Sequence, residues 1–260
     1  MEYIALGKTN LLVSRTAFGA MSLDCKEMGD NPKEAEEKVC AIVHQAYNGG
    51  MNFFDTSHSK PLCESRLGAA LHGIRQNVFL ATKTTAQSVQ ELRQDLQESL
   101  MALESDTIDL YQLENPSIIP QPNGPDGLYK ELLLLKNKGI IKHFGIALQD
   151  LDLAREAINS ELYETVQFPF SMISDDSTAE LIKLCTQKEI GCIAMQPLNG
   201  GIISNIPLAF GFLHQFENLV PVWGVHTQEE LQQLLYFNDN PPVVDKAFQE
   251  EVEKARQFFN

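Results

Sequence analysis

Basic residues are scarce in this chain: 20 Lys and Arg stand against 35 Asp and Glu, a formal net charge of −15. A surface so short of cations suits neither a phosphate backbone nor an anionic bilayer, so nucleic-acid and membrane partners are not expected. Long hydrophobic runs are missing as well. No stretch approaches the ~20 apolar residues that span a bilayer. The start, MEYIALGKTN, has no basic region followed by an apolar core, so a secretory leader is not expected. The five cysteines, Cys25, Cys40, Cys63, Cys185 and Cys192, are odd in number and never set as C-x-x-C. That argues against a disulfide framework, a metal site or an iron–sulfur cluster and reads as free thiols in a reducing cytoplasm. Cys63 shares a loop with Lys60, the one neighbour placed to lower its pKa. Finally, no G-x-G-x-x-G follows the first apolar run, where a doubly wound dinucleotide fold would carry it.

What is present is an alternation. Short apolar runs occur at Thr16–Met21, Met51–Asp55, Val78–Lys83, Ile108–Leu113, His143–Ala147, Thr165–Phe170, Gly191–Met195 and Val220–Val225. They are near-continuous, as parallel strands covered on both faces require. Helical periods lie between them. Ser88-Val89-Gln90-Glu91 has capping-box form ahead of Leu92, Leu96 and Leu100. Pro125–Gly139 and Asp175–Gly191 repeat the apolar spacing, and Val243–Phe259 predicts an acidic amphipathic helix with a solvated face. Eight strands with intervening helices predict a single (β/α)8 TIM barrel over residues 1–260. Tyr3–Leu6 and Leu11–Val13, around Gly7-Lys8-Thr9-Asn10, predict an N-terminal β-hairpin plugging the barrel floor.

Chemistry in such a barrel gathers at the C-terminal strand ends. Those ends carry Asp55, Lys83, Glu114, Gln167 and the segment Pro197–Gly201. Asp55 opens the loop DTSHSKPLCES, which holds His58 and Lys60. Asp55 and Lys83 read either as catalytic groups or as a buried ion pair. Lys60 has two readings: a second lysine converging on Lys83 and titrating near neutral pH, or a solvated side chain beside Pro61. Glu114 reads as a general acid or as a salt-bridge partner of either lysine. His58 reads as a solvated loop histidine and His226 as a phosphate or substrate contact.

In order, the chain runs LGKTNLLVS, FGAMS, GGMNFFDTS with Glu64 and LGAAL behind it, FLATKT, SLMALESDTIDLYQLENP, KNKGIIKHFGIA, ETVQFPFS and AMQPLNGG. This series resembles the aldo-keto reductase family, in particular a bacterial branch in which some relatives continue into a cysteine-rich ferredoxin-like module. No such module is expected here, nor the substrate loop of longer members. The resemblance implies NADPH-dependent carbonyl reduction by a tetrad. A tyrosine protonates the carbonyl oxygen, a lysine and an aspartate lower its pKa, and a histidine orients the substrate. Asp55 matches the aspartate and Lys83 the lysine. The tyrosine position holds Lys60 and the histidine position Glu114. Glutamate also replaces that histidine in members that reduce steroid double bonds, and those keep the tyrosine.

The resemblance further assigns Gly19, Met21, Gln167, Ser171, Met195, Gln196, Pro197, Leu198, Gly224 and His226 to the cofactor pocket. Ala147 and Leu148 replace a Ser-Asn pair, and Gln233 and Leu234 replace a Glu-Asn pair. Between Lys188 and Lys246 the chain has no lysine or arginine, so a 2′-phosphate lacks a cationic partner. The expectation is a nicotinamide cofactor, NAD(P)H, without NADPH selectivity, and a small-molecule carbonyl or enone substrate. Two alternatives stay open: a lysine-dependent lyase or isomerase, and a non-catalytic barrel that binds a metabolite or partner.

Overall fold

Every apolar run of the sequence becomes a strand. A computed structural model describes residues 1–29 and 31–259; the last residue of the expected domain, Asn260, lies outside them. Strands β1 (Tyr3–Ala5) and β2 (Leu12–Ser14) pair antiparallel as the N-terminal hairpin. The following strands are β3 (Ala17–Gly19), β4 (Phe53–Asp55), β5 (Phe79–Thr84), β6 (Ile108–Glu114), β7 (Ile141–Ala147), β8 (Thr165–Pro169), β9 (Gly191–Met195) and β10 (Leu219–Gly224). They form a closed parallel barrel in which β10 pairs with both β9 and β3. Closure leaves the eight-stranded sheet without an edge.

The surrounding helices are α1 (Pro32–Asn48), α2 (Pro61–Leu71), α3 (Val89–Ala102), α4 (Leu128–Asn137), α5 (Leu151–Ser160), α6 (Asp176–Gln187), α7 (Ile206–Leu213), α8 (Gln228–Asp239) and α9 (Lys246–Phe259). Their starts follow local chemistry. Ser88 and Glu91 form the reciprocal capping box at α3, while Asp150 accepts from Asp152 and Leu153 N–H at α5. Such caps satisfy amide groups that have no partner inside the helix. The amphipathic α9 buries Phe248 and Val252, and the Phe248 ring lies where a side chain on Gly211 of α7 would stand.

The hairpin does plug the floor. Leu6, Leu11 and Val13 join Ala17, Phe53, Ala81, Leu110, Ile193 and Val220 in one buried cluster inside the barrel. Gly7, at φ +52°, makes the docking possible, because a Cβ there would stand 2.2 Å from the Gly191 amide nitrogen. The next residue, Lys8, donates its N–H to the Glu189 carbonyl at 2.8 Å. With the floor filled by aliphatic side chains, only the opposite end of the barrel is left for polar groups.

Candidate active site at the barrel mouth

Strand polarity brings β4, β5, β6 and β8 to one end, and with them Asp55, Lys83, Glu114 and Gln167. They line a cleft of about 440 Å³ together with Gly19, Met21, Met195, Gln196, Pro197, Leu198, Gly224 and His226. At its base Lys83 Nζ donates to Asp55 Oδ2 at 2.7 Å and to the Thr56 carbonyl at 2.6 Å. Gln167 extends this network: its amide nitrogen lies 3.4 Å from Asp55 Oδ2, and its oxygen accepts from Gln112 at 2.8 Å. Asp55 Oδ1 is buried without a protein partner. Buried polar atoms normally have a partner, so this oxygen is open to a ligand in the cleft. The Trp223 indole instead stacks outward on Phe210 at 5.9 Å, and only its strand segment borders the cleft.

Two of the expected site residues lie elsewhere. Lys60 is absent from the cleft lining. It precedes α2 and donates to Asp24 Oδ2 at 2.8 Å, with 43% of its side chain exposed. That hydrogen bond raises its pKa, the opposite of a lysine titrating near neutrality. The second lysine therefore does not converge on Lys83. Ser171 is buried after β8, exchanging hydrogen bonds with Ser174, and does not reach the cleft wall.

Glu114 is in the cleft but forms neither of the expected salt bridges. Its Oε2 accepts from Ser57 Oγ at 2.8 Å, and Ser57 Oγ lies 2.8 Å from Ser59 Oγ. No tyrosine lines the cleft. The nearest in register is Tyr111, opposite Thr82, on the face where Thr82 reaches Glu64 of α2. Burial raises the Tyr111 hydroxyl pKa, which removes it further from acid chemistry. His58 also turns outward, with Nε2 3.4 Å from Asp95 and 3.6 Å from Glu98 on α3. Burial, reinforced by the nearby Asp24 carboxylate, pushes the Cys63 thiol up to about 11, so Lys60 does not activate it.

Two carboxylates stand behind His226 at the far end of the cleft. His226 Nδ1 lies 3.2 Å from Glu230 Oε2, which also accepts the His226 backbone N–H at 2.8 Å. Glu229 and Glu230 occupy the first turn of α8. A helix N-terminus attracts anions, and here the protein's own carboxylates already stand there. Sequence reasoning missed Ser22, Gln149, Val222 and Trp223 in the lining. Trp223 had a visible signal, since it directly precedes Gly224 at a strand end. Among the described residues no cluster of His, Cys, Asp and Glu is arranged to hold a metal, and no helix is long and apolar enough to cross a membrane.

The sequence model of the aldo/keto reductase family matches residues 15–207, a span containing every tetrad position described above. The chain belongs to the aldo/keto reductase family. Among curated relatives, this aldo/keto reductase is similar to the oxidoreductase YqkF of Bacillus subtilis. The two are 25% identical over 78% of this chain and 67% of that one. Similarity to L-galactose dehydrogenase of Arabidopsis thaliana reaches 28% identity over the same shares. Among solved structures, an aldo-keto reductase of Bacillus halodurans in its holo form superposes with a TM-score of 0.81 at 21% identity, covering 98% of this chain and 96% of that one. An aldo/keto reductase of Klebsiella pneumoniae, in complex with NADP and acetate, gives 0.81 at 16% identity with the same coverage. At these identities the superpositions establish the barrel.

Proposed function

We propose that this family member is an oxidoreductase that uses a nicotinamide dinucleotide lacking a 2′-phosphate and acts on a small carbonyl or enone. The observation that carries the reading is Lys83. Two of its three ammonium hydrogens are committed to Asp55 and Thr56, and the residue lines the cleft beside Gln167.

The donor set suits the nicotinamide end of such a cofactor. The long Gln167–Asp55 contact is one a ligand amide can replace. At Gly224 an added Cβ would meet only Ser22, at 3.8 Å, so the wall leaves room for close backbone approach. The set does not suit a 2′-phosphate. The Klebsiella enzyme is in complex with NADP, whereas here Glu229 and Glu230 would face the extra charge.

When bound, the reduced cofactor supplies hydride. The chain's own part is to hold the substrate oxygen at the third hydrogen of Lys83 Nζ and stabilise the negative charge that develops there. Lys83 then releases that proton to the oxygen, and solvent restores it while Asp55 keeps the side chain in place.

Trp223 is the single tryptophan of the chain and its strand borders the cleft, so energy transfer from its indole to a bound reduced nicotinamide reports occupancy. Titration with NADH is expected to quench it at lower concentration than NADPH. Absence of quenching by both at millimolar concentration would overturn the proposal.

A further inference from the structure

We infer that the ligand received beside Lys83 carries a cationic, ammonium-type group, which the Glu114 carboxylate takes up. The inference borrows from the proposed oxidoreductase reading only the carbonyl end of the substrate; the cation rests on charge and geometry.

Asp55, Lys83, Glu114 and His226 are the ionisable side chains of the lining. Asp55 and Lys83 pair with each other, and His226 lies against Glu230. Glu114 is left with a hydroxyl, Ser57, on one oxygen and no cation within ion-pair distance among the described residues. A carboxylate facing a cavity without a counterion attracts a cation there, and cleft walls of low dielectric strengthen that attraction.

The neighbouring polar atoms point the same way. Gln149 lines the cleft and is held beside β6 by its N–H donating to Asn115 Oδ1 at 2.7 Å. That anchor uses backbone, and the side-chain amide nitrogen lies 3.7 Å from Met195 Sδ, which leaves the side-chain carbonyl as a further acceptor of the lining. At the base, Asp55 Oδ1 is an acceptor without a donor. The hydroxyl of Ser57 fixes one Glu114 oxygen, so the carboxylate is held rather than free to swing into solvent.

The spacing limits the ligand. Lys83 is in register with Gln112, and Glu114 lies two residues further along β6. Strand separation near 4.8 Å and a rise near 3.3 Å per residue put the Lys83 and Glu114 backbones about 8 Å apart. A carbonyl at Lys83 and a cation at Glu114 are then joined by a short chain of a few carbons.

The test uses the intact protein and redox-inert probes followed by isothermal titration calorimetry. These are n-butylammonium, 1-butanol and butyrate at constant ionic strength. The expected result is butylammonium binding about tenfold tighter than either other probe, with Glu114→Gln abolishing the preference. Raising salt from 0.02 to 0.5 M should weaken butylammonium and leave butanol unchanged, which keeps the test valid if the variant does not fold. Butylammonium binding no tighter than butanol, or a preference insensitive to both Glu114→Gln and salt, overturns the inference. NADH titration is a separate readout. Cation preference without NADH quenching removes the oxidoreductase reading and leaves the cation site standing; NADH quenching without cation preference does the reverse.

Discussion

Lys83 Nζ and Asp55 Oδ2 lie 2.7 Å apart with only 3% and 4% of their side chains exposed. Neither charge has water to fall back on, so each depends on the other. Lys83→Met strands the Asp55 carboxylate and is expected to cost about 3–5 kcal/mol. The double variant Lys83→Met/Asp55→Asn should recover part of that loss. Urea unfolding of the two variants checks this, and equal stability of single and double variants would contradict it.

Removing the acidic first turn of α8 should change cofactor choice. Glu230→Arg deletes the carboxylate beside His226 and adds a cation at a helix N-terminus. NADPH affinity is expected to rise about tenfold, roughly 1.4 kcal/mol, with NADH affinity little altered. Trp223 quenching by each dinucleotide gives both constants.

Lys60, where the family resemblance implies a tyrosine, has the partly exposed Asp24 as its partner. Exposed ion pairs contribute little. Lys60→Met should cost under about 1 kcal/mol and leave NADH binding unchanged. A variant that loses cofactor binding would place Lys60 in the site after all.

Glu131 of α4 receives a bidentate hydrogen bond from Arg93 of α3, at 2.8 and 2.7 Å. That contact holds its pKa below the ordinary carboxylate value, against a smaller opposing effect of burial. A lowered folded-state pKa contributes stability that is present above the unfolded value, about 4.3, and lost as pH falls through the folded value. Unfolding midpoints measured from pH 6 down to 3 should fall more steeply for the parent protein than for Glu131→Gln.

At α3, Ser88 Oγ accepts the Glu91 N–H and Glu91 accepts the Ser88 N–H. Ser88→Ala is expected to cost about 1 kcal/mol, and Ser88→Asp much less. Thermal unfolding distinguishes the two.

The barrel was legible because its signals are local. Runs such as Gly191–Met195 are apolar on both faces, and amphipathic segments lie between them, some with a cap of their own such as Ser88 at α3 and Asp150 at α5. Asp55, Lys83, Glu114 and Gln167 were legible as site residues because strand ends in a barrel converge whatever their separation in sequence. The directions of the side chains were not legible. Lys60 and Ser57 share one short loop, yet one points to Asp24 and the other to Glu114. No periodicity encodes that difference, since loop residues have no repeating face.

The order of residues alone determined the alternating architecture, the acidic balance and the stretch without lysine or arginine between Lys188 and Lys246. These follow from composition and from periods of two to four residues, which act within one turn or one strand. Tertiary structure decided what the charges do: Lys60 is spent on Asp24, Lys83 on Asp55, His226 on Glu230, and Glu114 alone faces the cleft without a counterion. Electrostatic pairing depends on distance and burial between groups brought together from separate strands and loops, and closing the barrel fixes both.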